Sequence, residues 1–324
     1  MPLLLNERDV RSVLTLPDLI ASMRGALADY SSGRAQQPLR TVLELGEHRA
    51  FFGIMPAALA GKTVGTKLVT VFPSNHEKGL PSHLATIVLL DPDTGALLAL
   101  MDGRFITEAR TAAVSAVSVD ILALPTAGTL ALIGSGVQAR SHLEAIACVR
   151  KLREVRVWSP TESHRTAFQD AVRHHGITVR AVGSPREAVE GADLIVVATA
   201  SHTPVLNSDW VRDGTHICAV GACRPSHREL EAALVARSRL FVDSTVGALS
   251  EAGDIVLAIQ EGALAPGDIA GELGELIAGT VTGRQNPSQV TLFKSLGMAV
   301  EDVAAADLAY ARATARGIGT PLAM

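Results

Sequence analysis

The sequence predicts an α/β protein of two domains: a doubly wound parallel sheet in the second half of the chain, and a mixed α+β domain built mainly from the first third. Three observations predict it. At 324 residues the chain exceeds the usual single-domain range. Hydrophobic residues make up 48% of it but aromatics only 3%, so the cores must rest on Val, Leu, Ile and Ala packed between layers. From Thr129 onward, short apolar runs alternate with helical stretches, the pattern of βαβ units around a parallel sheet.

The stretch 6–31 reads as two short helices. Asn6 caps the first, with Glu7 and Asp9 in its opening turn, and Pro17 suits the start of the second. After Ser31-Ser32-Gly33 the pattern changes to β-branched and apolar runs at 41–45, 50–55, 64–72 and 84–91, separated by Gly, Pro and Asn; these predict a small mixed sheet. Asp91-Pro92-Asp93-Thr94-Gly95 is a turn signal that pairs 86–90 with 97–101 as a hairpin. Through 107–122 the small residues Ala109, Ala112, Ala113, Ala116 and Val117 recur at helical spacing and give a tightly packed face.

The second domain opens with a strand at 130–133, a glycine-rich turn and a helix at 139–149. A strand at 155–158, a helix at 162–174 and a strand at 179–181 follow, then strands at 194–198, 216–220 and 240–242. The amphipathic stretch 297–316 is a final helix that returns to the first domain. The predicted division is therefore 1–118 with 298–324 for the first domain and 119–297 for the second.

Composition excludes several classes of partner. The 29 basic and 33 acidic residues nearly cancel and form no run that could track a nucleic acid or an anionic membrane. Cys148, Cys218 and Cys223 are odd in number and unpaired in spacing, which predicts a reducing compartment with neither a structural disulfide nor a metal site. The first ten residues lack the apolar core of a signal peptide, and Asp91, Pro92 and Asp93 interrupt the longest apolar stretch, short of the roughly 18 residues a membrane span needs. A cytoplasmic protein is expected.

Gly134-Ser135-Gly136-Val137-Gln138-Ala139 follows an apolar strand and opens a helix, which is the context that gives G-x-G-x-x-G/A its meaning. The first Gly permits the tight turn, the second lets the backbone approach a pyrophosphate, and Ala139 allows close helix packing, so this domain reads as a Rossmann dinucleotide-binding fold. An acidic residue ending the second strand would hold the ribose of NAD. Here that strand ends Trp158-Ser159-Pro160-Thr161, with no carboxylate before Glu162. Ser159, Thr161, His164 and Arg165 suit a 2′-phosphate, which favours NADPH while leaving NADH possible; each of them singly is equally at home as a solvated loop or helix-start residue.

In the first domain three cations stand out: Arg40 before a strand, Lys67 inside an apolar strand and Arg110 in a helix. Lysine in a strand ordinarily lies on a solvated face, and arginine in a helix ordinarily pairs with an acid, so alone they identify no site. The words around them do. Gly65-Thr66-Lys67-Leu68-Val69-Thr70, Leu80-Pro81-Ser82-His83, Met101-Asp102-Gly103, Arg110-Thr111-Ala112-Ala113, the Gly134 turn and Thr291-Leu292-Phe293-Lys294-Ser295-Leu296-Gly297 occur in an order that resembles the ornithine cyclodeaminase and mu-crystallin family.

That resemblance implies an oxidoreductase of amino-acid metabolism: a homodimer whose substrate domain also forms the dimer contact, with the active site in the cleft facing the nicotinamide. It assigns Arg40, Lys67 and Arg110 to the substrate carboxylate, Lys67 also as catalytic residue, and Ser82 to the pocket wall. Thr111, Ala198, Thr199, Val220, Lys294 and Ser295 join the glycine turn as cofactor contacts. Arginine offers a planar fork to a carboxylate and lysine a mobile charged donor, so the assignment is chemically sound.

One departure separates branches of the family. Cyclodeaminases carry a Val-Gly-Gly-Asp segment whose aspartate is thought to engage the substrate amine, whereas this chain reads Val220-Gly221-Ala222-Cys223-Arg224-Pro225. A neutral thiol at Cys223 neither supplies that charge nor accepts a proton as readily. The likeness is nearest to the ketimine reductase branch, and it implies NAD(P)H-dependent reduction of a small cyclic imine carboxylate. Cyclodeamination of ornithine or lysine, an amino-acid dehydrogenase or N-alkylating reductase acting on 2-oxo acids, and a non-catalytic NADPH-binding protein are the alternatives.

Overall fold

A computed structural model describes residues 1–46, 50–172 and 176–323. The chain divides into two compact units, Met1–Arg110 with Gly297–Met324, and Thr111–Leu296. The first boundary falls inside the helix Arg104–Leu122. The expected helix end at His174 and the last residue of the predicted first domain, Met324, lie outside the described residues.

The first unit is a mixed sheet with helices on one face. Its strands run in the order Thr320–Pro321, Leu3–Leu5, Leu97–Asp102, His83–Leu90, Thr63–Val71, Ala50–Leu59 and Ala35–Gln36, with Thr41–Leu45 paired to Ala50–Leu59. Neighbours are antiparallel except Leu3–Leu5, which lies parallel to Leu97–Asp102. The hairpin at Asp91 forms as expected, with Asp91 Oδ1 accepting from the Asp93 and Thr94 backbone N–H groups. The two opening helices are Glu7–Val13, closed by a reciprocal Asn6–Asp9 cap, and Leu16–Ser31, capped by Thr15 with Pro17 in its first turn. The helix Ala299–Arg316 packs on the second of these and on the central strands, burying Ala305, Ala306, Ala309 and Ala313. Alternation along Thr63–Val71 turns Thr63, Gly65, Lys67 and Val69 inward. Lys67 thus lies on the buried face, not on the solvated one that a strand lysine ordinarily takes.

The second unit is the predicted doubly wound fold. Its eight strands are all parallel, in the order Thr178–Ala181, Glu154–Trp158, Thr129–Ile133, Leu194–Val197, His216–Ala219, Thr291–Lys294, Arg239–Val242 and Ile269–Glu272. Thr129–Ile133 and Leu194–Val197 are adjacent but not consecutive, so the order reverses between them, and such a switch point opens the crevice where α/β sheets bind ligands. Thr291–Lys294, inside the sheet, escaped the strand pattern because it is short and stands outside the regular strand–helix alternation.

Candidate active site

In the first unit, two acids at the start of the helix Ala299–Arg316 organise the cations. Asp302 is fully buried and bridges them: its Oδ1 accepts from Arg110 Nε at 2.8 Å, and its Oδ2 lies 2.6 Å from Lys67 Nζ. Glu301 accepts from Arg110 Nη1 at 2.6 Å through Oε2, which also takes the Met298 backbone N–H at 3.1 Å. Carboxylates in the first turn complement the helix dipole, so the same residues begin the helix and hold the cations. Gly297, with φ +77°, precedes this turn, and a Cβ there would strike the Arg110 guanidinium; its carbonyl accepts from Arg40 Nη2 at 3.2 Å.

The electrostatics follow from burial. Lys67 is 2% exposed, and burial pulls its ammonium down to about 8 against the opposing attraction of Asp302. Burial would raise the Asp302 carboxyl, but Arg110 and Lys67 outweigh it and hold it below its ordinary range. His83, half-buried at the start of His83–Leu90, is pushed down to about 4 by burial and by the charges of Lys67 and Arg110, so its imidazole is neutral at pH 7. Ser82 beside it is exposed, and its carbonyl accepts from the Phe72 N–H at 2.8 Å. Arg40, Lys67 and Arg110 therefore gather around Gly297 and Asp302, with His83 in their field.

In the second unit the glycine turn has the shape its motif predicts. Gly134 has φ +113°, and a Cβ there would collide with the Ala198 carbonyl oxygen across the switch point. Gly136 instead borders open space and caps the helix Val137–Val149 without any side-chain hydrogen bond, which leaves the first N–H groups of that helix to a ligand. Space beside Gly136 and an uncapped helix start fit a pyrophosphate. Ala139 is buried against the sheet, Val137 is 53% exposed at the rim, and the Gln138 carbonyl is 2.7 Å from His142 Nδ1.

At the end of the second strand, Ser135 Oγ donates to Ser159 Oγ at 2.9 Å, and Arg165 Nη1 donates to the Ser159 carbonyl at 2.6 Å. Thr161 is exposed at the start of Glu162–Ala171 and makes no side-chain cap. A guanidinium and hydroxyls with no carboxylate among them fit a 2′-phosphate. The Val220 N–H donates to Val197 O, continuing the sheet past Ala219.

Several expected contacts are buried. Thr111 is 6% exposed, Ser295 is 1% exposed, and Lys294 has no exposed surface, its Nζ 3.0 Å from Asp254 Oδ2. Lys294 thus serves the interior of the unit, where Asp254, Cys223 and Glu229 outweigh the effect of burial and raise its ammonium above the ordinary lysine range. Cys223 is half-buried and its thiol is turned to the Val220 carbonyl at 3.3 Å. Sequence reasoning missed Glu301, Asp302, His83, Glu229 and Asp254 as site residues. Glu301 and Asp302 lie four and five positions after Gly297, but nothing local in the sequence pairs them with Arg110.

A model of the ornithine cyclodeaminase/mu-crystallin family matches residues 2–317. Ketimine reductase mu-crystallin of Mus musculus is 44% identical over 296 residues, which is 90% of this chain and 91% of that one. The solved structure of Thermococcus litoralis Δ1-pyrroline-2-carboxylate reductase in complex with NADH and L-proline superposes with a TM-score of 0.96 and 41% identity, covering 99% of this chain and 100% of that one. An archaeal alanine dehydrogenase dimer with bound NAD superposes with a TM-score of 0.95 and 31% identity, covering 100% of this chain and 99% of that one.

Proposed function

The chain belongs to the ornithine cyclodeaminase/mu-crystallin family, and on that footing we propose that it is an NAD(P)H-dependent ketimine reductase. It reduces cyclic ketimine carboxylates, Δ1-pyrroline-2-carboxylate and Δ1-piperideine-2-carboxylate, to L-proline and L-pipecolate. The observation that carries this reading is the Asp302 bridge, which locks Lys67 and Arg110 side by side as donors for a carboxylate. Arg40 and Arg110 clamp that carboxylate; Lys67, as catalytic residue, hydrogen-bonds to it and sets the field beside the imine. Ser82 and Cys223 are the further substrate-binding residues. Cys223 offers no carboxylate to engage an amine, so ornithine is not deaminated.

NADPH is the cofactor, with NADH also accepted; it supplies the hydride that reduces the imine carbon. Gly134, Ser135, Gly136, Val137, Gln138 and Ala139 receive the pyrophosphate, Ser159, Thr161 and Arg165 the 2′-phosphate, and Ala198, Thr199 and Val220 border the nicotinamide side. Thr111, Lys294 and Ser295, all buried, complete the cofactor residues.

The protein works as a homodimer in the cytoplasm, a reducing compartment that suits its free thiols. The less buried face of the first sheet supports a second copy: Ile54, Leu68 and Thr86 lie in register across three strands, with Leu84 40% exposed on the same face. Leu68→Glu with Leu84→Lys is expected to give a monomer in light scattering; an unchanged dimer places the contact elsewhere. Among the described residues no helix is long and apolar enough to cross a membrane.

Purified protein given Δ1-pyrroline-2-carboxylate should oxidise NADPH stoichiometrically, with no ammonia released from L-ornithine in parallel. Ammonia and proline formed from ornithine without net cofactor turnover would replace the reading with cyclodeamination.

A further inference from the structure

One buried carboxylate beside the switch point collects more donors than any structural pairing requires. Glu229 has no exposed surface. Its Oε1 accepts from the Thr199 backbone N–H at 2.6 Å and from the Thr199 hydroxyl at 2.7 Å. Its Oε2 accepts from the Gly221 N–H at 2.7 Å and the Ala222 N–H at 3.2 Å. Four donors and no acceptor make the environment of an ionised carboxylate. On balance burial, with the nearby Asp254 charge, holds the Glu229 carboxyl above its ordinary value, against the opposing pull of Lys294 and the Thr199 hydrogen bonds.

Thr199 follows the strand Leu194–Val197, and Gly221 follows His216–Ala219. One side chain therefore ties together the outgoing ends of two adjacent parallel strands. A Cβ on Gly221 would run into both Glu229 and the Thr199 carbonyl, so the approach leaves no slack. Glu229 is itself anchored: its N–H and that of Leu230 donate to Asp254 Oδ1 at 2.7 and 2.9 Å, and Asp254 Oδ2 meets Lys294 Nζ at 3.0 Å. Lys294 ends the strand Thr291–Lys294, which brings a third strand end into the same network.

Open α/β sheets bind their ligands at the carboxyl ends of their strands. Resting on the NAD(P)H reading above, we propose that Glu229 is a positioning residue that fixes the loops after Val197 and Ala219 in the geometry that receives the dinucleotide, with Asp254 and Lys294 as its support. It acts through Thr199, Gly221 and Ala222 and touches no reacting atom. A glutamine cannot replace it, because an amide has one acceptor oxygen and its NH2 would face the two N–H donors of Gly221 and Ala222.

The test compares wild type, Glu229→Gln and Thr199→Val by calorimetric titration with NADPH, by steady-state kinetics, and by hydrogen exchange of segments 198–201 and 220–223 without dinucleotide. Glu229→Gln is expected to weaken NADPH binding by about tenfold to a hundredfold, the range for a lost hydrogen bond to a charged group. KM for NADPH should rise more than kcat falls, and exchange should quicken in both segments. Thr199→Val, which removes one of the four donors, should shift both readouts in the same direction by a smaller factor. NADPH affinity within twofold of wild type, or unchanged exchange, in Glu229→Gln overturns the proposal. Should that variant not fold, the same null result in Thr199→Val does so. A wild-type protein that binds neither NADPH nor NADH overturns the dinucleotide reading and the proposal with it, whereas a binding wild type with indifferent variants overturns the proposal alone.

Discussion

The two units hold their binding groups by different means. The second uses the backbone: a glycine with φ +113°, an uncapped helix start and strand ends tied by one carboxylate, all compact in sequence around 134–139 except for the tie. The first uses charged side chains, Lys67, Arg110 and Asp302, that come from two helices and a strand far apart in the chain and meet only when folded. Backbone geometry binds phosphate of almost any ester, whereas a constellation of side chains binds one carboxylate in one orientation. The generic ligand is met by a local motif and the specific ligand by long-range packing.

Breaking the side-chain constellation should have the larger effect. Arg110→Met leaves Asp302 and Glu301 buried without their guanidinium, so stability should fall by about 3–5 kcal/mol in denaturant titration. In the folded fraction, kcat/KM for Δ1-pyrroline-2-carboxylate should drop by about a thousandfold. A loss under tenfold would remove Arg110 from the carboxylate clamp. Breaking the backbone site is expected to cost less: Gly134→Ala strains one residue and pushes on Ala198 O, which should weaken NADPH binding by about a hundredfold in a fluorescence titration. Undiminished NADPH affinity in that variant would mean that the turn does not contact the pyrophosphate.

The same contrast decides what could be read in advance. The glycine turn, the βαβ order and the helix starts marked by Asn6 and Pro17 were legible because each depends on residues within a few positions of one another. The Asp302 bridge was not, since no local pattern pairs residue 110 with residue 302, and Lys67 was legible only through family likeness, its propensity pointing to the wrong face of the strand. Leu3–Leu5 and Thr291–Lys294 were missed because each is short and stands outside the regular strand–helix alternation that exposed equally short strands such as 179–181. Glu229 was hidden for the same reason as Asp302: a buried acid looks like a surface acid until its donors are seen.

Lys67 sharpens the comparison through pH. Its protonated form is the one that attracts a carboxylate, and its pKa lies at about 8, below the ordinary lysine value, because burial disfavours the charge. Activity should therefore fall as pH rises through about 8, approaching tenfold per pH unit in kcat/KM. The stability contribution has the opposite sign. Between about 8 and the ordinary lysine range the unfolded chain still binds the proton that the fold has released, so this group stabilises the fold as pH rises there. Lys67→Arg, permanently charged, should abolish both dependences; an alkaline limb that persists unchanged in that variant belongs to another group.

The smallest effect is expected where backbone and side chain share one task, at the strand end Ser159. Arg165 is half-exposed and reaches the Ser159 carbonyl at 2.6 Å, so its charge stands beside a polar turn that contains no carboxylate. A 2′-phosphate there gains a charge-assisted contact in a largely solvated setting, worth about 1 kcal/mol. Arg165→Ala should raise KM for NADPH about fivefold and leave KM for NADH unchanged, because NADH presents a hydroxyl where NADPH presents the phosphate. If the two values rise together, Arg165 is shaping the turn and not reading the phosphate. Cofactor preference would then rest on the hydroxyls of Ser159 and Thr161, groups that accept either dinucleotide.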